Sequence, residues 1–231
     1  PDWQVHISKV LLKNNTISFK KGQGNVKKLK KSFNWKNTKL SKFNFSLKDV
    51  DLSKDYLSLN LQNFSFIDKS GFQLKEFEMK LKTDAEKTTV SSFSLKTNQS
   101  SLAAFASLEY NSIQDLIQNP EKTSFNITTH EASLRVQDAF YFQSELRNQT
   151  YVNKLSKNKI KVKLKAKGTL RNMDVSLFEM NWGAKTKLNF SANIKDIITE
   201  DKLSFRIPDF RFTTDKKTLT NFVDKEKLGI Q

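Results

Sequence analysis

Cysteine is absent from the 231 residues, so no disulfide framework and no thiol chemistry is available. Histidine is nearly absent. His6 and His130 are far apart and show neither HxxxH nor HxH spacing, which excludes the usual zinc-ligand patterns. Glycine (6) and proline (3) are scarce beside abundant Lys, Asn, Ile and Phe, a bias that an AT-rich genome imposes whatever the function. Gly22 and Gly24 form a GxG without the other glycines of a phosphate loop or a following helix, and no GxSxG occurs. No apolar run approaches the roughly 18 residues of a membrane-spanning helix. The chain opens on Pro1 and Asp2 with no leader-like segment, and we read it as a segment of a longer protein whose targeting signal lies elsewhere.

The charge that is present has mostly one sign, with a net of +16. Such an excess invites a nucleic-acid or anionic-lipid reading. Nucleic-acid binders gather Lys and Arg on one surface and interleave aromatic residues or arginine for stacking. Here the lysines are spread over nearly every segment and far outnumber the arginines, so no nucleic-acid partner is expected. The densest run, KKLKK at 27–31, reads as a solvated basic loop. Carboxylate pairs such as Glu76 and Glu78 share one strand face, but nothing in the sequence places them in a cleft where a general acid gains its shifted pKa. No catalytic residue, metal or cofactor is expected. Asn44, Asn63, Asn126 and Asn189 head Asn-x-Ser/Thr triplets that fall within strands, where such triplets arise freely.

Alternation of apolar and polar residues recurs along the whole chain, which marks strands with one buried face. The clearest case is NKIKVKLKAKGTL (158–170). Ile160, Val162, Leu164 and Ala166 fall on one side and Lys159, Lys161, Lys163, Lys165 and Lys167 on the other. Phe43, Phe45 and Leu47 repeat the pattern, as do Leu57, Leu59 and Leu61. Phe64 and Phe66 then fall one step out of phase, and a bulge near Gln62 and Asn63 explains the slip. Phe72 and Leu74 precede a second slip to Phe77, Met79 and Leu81. Phe93 and Leu95 follow, then the run from Leu102 to Tyr110. Later strands carry Phe125 and Ile127; Leu134 and Val136; Val175 and Leu177; Leu188, Phe190, Ala192 and Ile194; Leu203, Phe205 and Ile207; and Phe210 and Phe212. The expected fold is mainly β, an elongated antiparallel meander.

Helix is a minor component, near 112–119, 138–147 and 215–228. Ser112 and Asp138 are expected to act as N-caps, and Pro120 ends the first segment. These pieces are too short to cover ten or more strands. Each strand presents about five apolar side chains, each worth about 1.5–3 kcal/mol when fully removed from water. Bare, they would exceed the roughly 300–600 Å² apolar patch a soluble monomer carries. Either two sheets face one another, or one curved sheet encloses an apolar ligand. Alternation alone does not separate the two.

The order of segments narrows the choice. SFNWKNTKLSKFNFSLKDVDLS (32–53), LSLNLQNFSFIDKSGFQLKEFEMKLKT (57–83) and SLKTNQSSLAAFASLEY (94–110) together resemble the TamB family of AsmA-like translocation and assembly module proteins, in its Bacteroidota form. The shared pieces are an FDW-N-x-L-like opening (with Asn34 where Asp is common), an SGF turn, an L-x-T-x-x-S-x-L strand pair and a short helix after a Tyr. KAKGTLRNMDVSLFEMNWGAKTKLNFSANIKDI (165–197) fits the family's paired-strand repeat, and the resemblance runs over about residues 4–229.

The resemblance implies a taco-like β-groove that crosses the periplasm. The parent protein would be anchored in the inner membrane by an N-terminal helix outside this chain. Through its C-terminal region it would meet an outer-membrane barrel of the BamA-like superfamily. It also implies phospholipid movement between the membranes and support of outer-membrane protein assembly or secretion. On that basis residues 1–231 form one β-groove segment with sub-repeats at about 1–111 and 121–213. Phospholipid acyl chains are its partners, and they run over Phe43, Phe45, Leu47, Leu57, Leu59, Leu61, Phe93, Leu95, Ile160, Val162, Leu164, Ala166, Leu188, Phe190, Ala192, Ile194, Leu203, Phe205 and Ile207. The rival reading is a protein-interaction module that pairs with barrel clients through its sheet edges.

Overall fold

A computed structural model describes residues 3–21, 32–220 and 222. The KKLKK run, the GxG pair and the tail beyond 222 lie outside them. Among the described residues eleven strands form one antiparallel sheet in strict sequence order. They are β1 (Gln4–Lys20), β2 (Asn37–Ser53), β3 (Tyr56–Asp68), β4 (Gln73–Thr83), β5 (Lys87–Thr97), β6 (Ser101–Glu109), β7 (Ser124–Leu134), β8 (Ile160–Thr169), β9 (Asn172–Trp182), β10 (Thr186–Lys195) and β11 (Ser204–Thr213). The expected meander is present. Since β6 pairs directly with β7, the two expected sub-repeats belong to one continuous sheet.

Register shifts interrupt every strand pair. Several sit at residues in the left-handed region: Asn14, Lys42, Asp49, Asn63 and Ser92, with φ between 49° and 56°. Asn and Asp tolerate that conformation better than most residues. Asn63 is the bulge expected from the phase slip between Leu61 and Phe64. The second slip is a bulge in β4 between Leu74 and Phe77. Each extra residue bends and twists its strand, and with it the sheet. Each also returns the apolar residues that follow to the face they left.

Three strand assignments need correction. Phe72 lies in the turn before β4 and is buried in an aromatic cluster. Val136 opens a helix, so β7 stops at Leu134. Leu177 does not share a face with Val175, because the bulge at Ser176 pairs Leu177 with Lys165 and passes the apolar phase to Phe178.

The helices are α1 (Ile113–Gln118), α2 (Val136–Ala139), α3 (Thr150–Ser156) and α4 (Lys216–Leu219), with single 3₁₀ turns at Pro120–Lys122, Ser144–Asn148 and Glu200–Lys202. Ser112 caps α1 as expected, its hydroxyl accepting from the Asp115 N–H at 3.0 Å. Asp215 does the same for α4, and the Thr218 N–H bond holds its carboxyl below the usual range. Asp138 is not an N-cap. It lies inside α2, which starts after Arg135, and its buried carboxylate accepts from the Thr97 hydroxyl at the end of β5. A tertiary partner outcompeted the local capping role.

The connection from β7 to β8 (135–159) folds over one end of the sheet. Phe142 meets Phe72 at 5.0 Å between ring centroids, and the Trp182 indole donates to the Leu155 carbonyl at 2.8 Å. Every described strand belongs to the one sheet, so no second sheet is formed among the described residues.

Candidate functional site: an open apolar sheet face

Backbone register decides which side chains share a face. One row of paired residues crosses all eleven strands: Val5, Leu52, Leu57, Thr83, Thr88, Leu108, Phe125, Gly168, Met173, Ile194 and Phe205. A second runs Leu59, Leu81, Val90, Ala106, Ile127, Ala166, Val175 and Ala192. A third runs Phe64, Phe77, Leu95, Leu102, Ala132, Val162, Met180, Leu188 and Phe212. Leu164, Phe178, Phe190 and Phe210 pair in a fourth. Phe43, Phe45, Leu47 and Leu61 join this face through β1–β3, Phe93 joins through Ala104, and Ile160 through Trp182.

All the expected lining residues with registered partners therefore share one continuous face. Ile207 follows in phase from Phe205 and precedes a bulge that takes up Pro208. Leu203 precedes β11 and has no registered partner. Phe178, Met180 and Met173 belong to the same face but were missed; the Ser176 bulge hides the phase of Phe178 and Met180 from a simple count, whereas Met173 alternates plainly with Val175.

Burial along this face is graded, and the grading has a simple cause. In the interior strands most apolar side chains are half-buried, as in β8, where Ile160, Val162 and Leu164 are intermediate and the lysines between them exposed. Neighbouring strands about 4.8 Å away cover the flanks of each side chain and leave its tip open. The edge strands have one strand neighbour each among the described residues, and nearly every residue of β1 and β11 is exposed, including Ile17, Phe19, Phe205 and Phe210. The only described buried cluster on the sheet is small: Ala166, Val175 and Ala192, closed over by Phe125, Leu164, Met173, Phe178, Phe190 and Ile194. The two alanines are thus covered by their larger neighbours within the sheet.

Aromatic rings pave the face in two patches. Phe43, Phe64, Phe77 and Phe93 make edge-on contacts in sequence across β2–β5, at 5.6, 6.1 and 5.5 Å. Phe178 and Phe190 stack at 4.6 Å across β9 and β10. Among the described residues no ring contact joins the two patches. The accessible surface of 15687 Å² compares with roughly 10,700 Å² for a compact monomer of this size.

The opposite face is polar. Ser107, Asn126, Lys167, Asp174 and Asn193 pair in one row there and line a shallow depression of about 600 Å³. Asn193 donates to Asp174 at 2.9 Å. Glu76 and Glu78 also share this side, as expected. The Glu76 carboxylate accepts from Lys96 at 2.9 Å and Ser94 at 2.8 Å, and these bonds hold its pKa below the usual value, opposite to what a general acid needs. His6 bonds Asp51 at 2.6 Å, and no group of three or more potential metal ligands occurs among the described residues. No helix among them is long and apolar enough to cross a membrane. No family model, curated protein or solved structure matches the chain.

Proposed function

We propose that the chain is a non-enzymatic envelope segment whose apolar sheet face forms a curved groove for phospholipid acyl chains. The observation that carries this reading is the face around the row from Val5 to Phe205, apolar at most positions and continued through eleven strands of one sheet. Acyl chains have no hydrogen-bonding groups to be read, so a surface that carries them needs many interchangeable apolar contacts and few polar ones. Leucine, phenylalanine, methionine and alanine supply these here. The lysines of the other face keep such a sheet in solution and discourage stacking on itself.

On the TamB-like resemblance we place the segment in the periplasm. It would serve lipid movement between the two membranes, and outer-membrane protein assembly or secretion through a BamA-like barrel. Nucleic acid is not a partner in this proposal.

The test is a photo-crosslinker at Leu164 or Phe190 in the full-length parent. Capture of phospholipid supports the proposal. Absence of lipid at both positions, with collapse of Leu164→Glu and Phe190→Glu, makes the face a protein core and overturns it.

A second reading is strand addition by barrel clients along an edge. It is favoured by β1, 17 residues long and exposed on both faces. Backbone pairing with a client would protect further β1 amides from hydrogen exchange, whereas a groove that carries lipid would not.

A further inference from the structure

The two ends of the strands differ in charge and in aromatic content. One end gathers the connections 21–36, 69–72, 98–100, 135–159 and 183–185 and the segment after β11. Its described residues outside the strands carry Lys21, Lys36, Lys69, Lys154, Lys157 and Lys185 among others, against Asp138, Glu145 and Asp215. Of these three acids, Asp138 is buried. The opposite end carries Asp55, Asp84, Glu86, Asp115, Glu121 and Asp196 among others, and there acids outnumber Lys and Arg. Because the strands run antiparallel, the described residues outside them place their excess of positive charge at one end of the sheet.

That same end presents an unusual patch. Phe33, Trp35 and Phe142 pack together, with ring centroids 4.4, 5.8 and 6.4 Å apart, yet Trp35 is 68% exposed and Phe142 48%. Lysines lie on the adjoining connections. The Lys21 N–H donates to the Lys36 carbonyl at 2.8 Å, which puts both at the mouth of the β1–β2 connection beside Trp35. Lys69 reaches the Asn37 side chain at 2.6 Å. Farther along, Tyr151 is 61% exposed and carries Lys154 over its ring at 5.5 Å. Exposed aromatic rings ringed by lysine suit the interface of a bilayer, where the ring enters the headgroup layer and the ammonium meets lipid phosphate.

We propose that this basic, aromatic end docks on the surface of an anionic lipid bilayer. The contact is distinct from the apolar face and stands whether or not that face carries lipid. The partner is an anionic membrane because rings and lysines occur together. A protein groove would call for apolar anchors with little surrounding charge; binding of a single-stranded oligonucleotide in preference to the mixed vesicles would assign the patch to nucleic acid and overturn the proposal.

The experiment uses the whole chain, sedimented with vesicles of phosphatidylcholine alone or mixed with phosphatidylglycerol. Binding is expected to the mixed vesicles only and to weaken with added salt. Trp35→Ala with Phe142→Ala should lower the partition coefficient roughly ten-fold, and each of Lys36→Gln and Lys69→Gln roughly five-fold. Lys161→Gln, Lys163→Gln and Lys165→Gln combined remove more charge from the polar face and should have the smaller effect, with circular dichroism confirming the fold of each variant. Phe190→Glu should bind vesicles like the parent, so loss of the groove and loss of the docking end are separable. Equal binding to neutral vesicles, no binding to any vesicle, or an equal response to the polar-face lysines would overturn the proposal.

Discussion

Residue by residue, the stability of this sheet rests on small groups in demanding positions. Gly168 has φ +124°, and a Cβ there would lie 2.2 Å from the Asn172 carbonyl oxygen. Gly168→Ala combines backbone strain with a clash against main chain, and a loss of at least ~2 kcal/mol is expected in urea unfolding. Asn63 is milder: Asn63→Gly should be nearly neutral and Asn63→Val destabilising by ~1–2 kcal/mol, since a β-branched residue resists the left-handed region.

The half-buried and buried positions of the apolar face should also respond differently to charge. Leu164 and Phe190 have open tips that leave a new carboxylate in water, whereas Ala192 is 3% exposed. Leu164→Glu is expected to stay folded and Ala192→Glu to unfold, because an unpaired buried charge is among the costliest substitutions. Glu76 gives the pH dependence. Its folded pKa is depressed by Lys96 and Ser94, so its contribution is present above the unfolded carboxylate pKa and lost as pH falls through the folded value. Glu76→Gln should therefore flatten the acid limb of the stability curve and change little under more acidic conditions.

The elements differ in how much local sequence supports them. A six-residue helix such as α1 is too short to persist alone, so its hydroxyl cap carries weight, and Ser112→Ala should cost about 1 kcal/mol. The connection between β7 and β8 depends instead on tertiary bonds. Arg135 N–H donates to the Ser100 hydroxyl at 2.9 Å, and Thr97 donates to Asp138, whose other oxygen is buried with no partner among the described residues. Thr97→Val removes that donor and leaves a buried carboxylate unbonded, an expected loss of ~2–3 kcal/mol. Pairing it with Asp138→Leu should recover part of the loss, as measured by a double-mutant cycle. Elsewhere a side chain repairs the ladder: where β7 bulges, the Thr129 hydroxyl accepts the Leu164 N–H at 2.7 Å.

At the scale of the molecule, one open sheet has consequences that a sandwich would not. Its apolar face is wetted in the native state, so an environment-sensitive apolar dye should fluoresce on the folded chain and be displaced by detergent at concentrations that leave the circular-dichroism spectrum unchanged. A closed core would bind the dye only on unfolding. The contrast between basic connections at one strand end and acidic ones at the other also gives the sheet a preferred orientation at a charged surface.

The sequence by itself determined the strands and their sides. Side-chain direction alternates with each residue, so Lys161 and Val162 had to face opposite ways in any strand, and the slips near Asn63 and before Phe77 had to be bulges if one face was to stay apolar. It also determined the Ser112 cap, because an N-cap is a bond between residues three apart. Other features depended on partners distant in the chain. Asp138 reads locally as a cap, but Thr97, 41 residues away, took its carboxylate. Leu177 reads as the partner of Val175 until pairing with β8 places the bulge. Whether the apolar sides met a second sheet was likewise invisible to alternation, since period two encodes a face and says nothing of what lies across from it. Only the pairing of each strand with its next neighbour, eleven in a row, put every described strand into one sheet and left none to build a second.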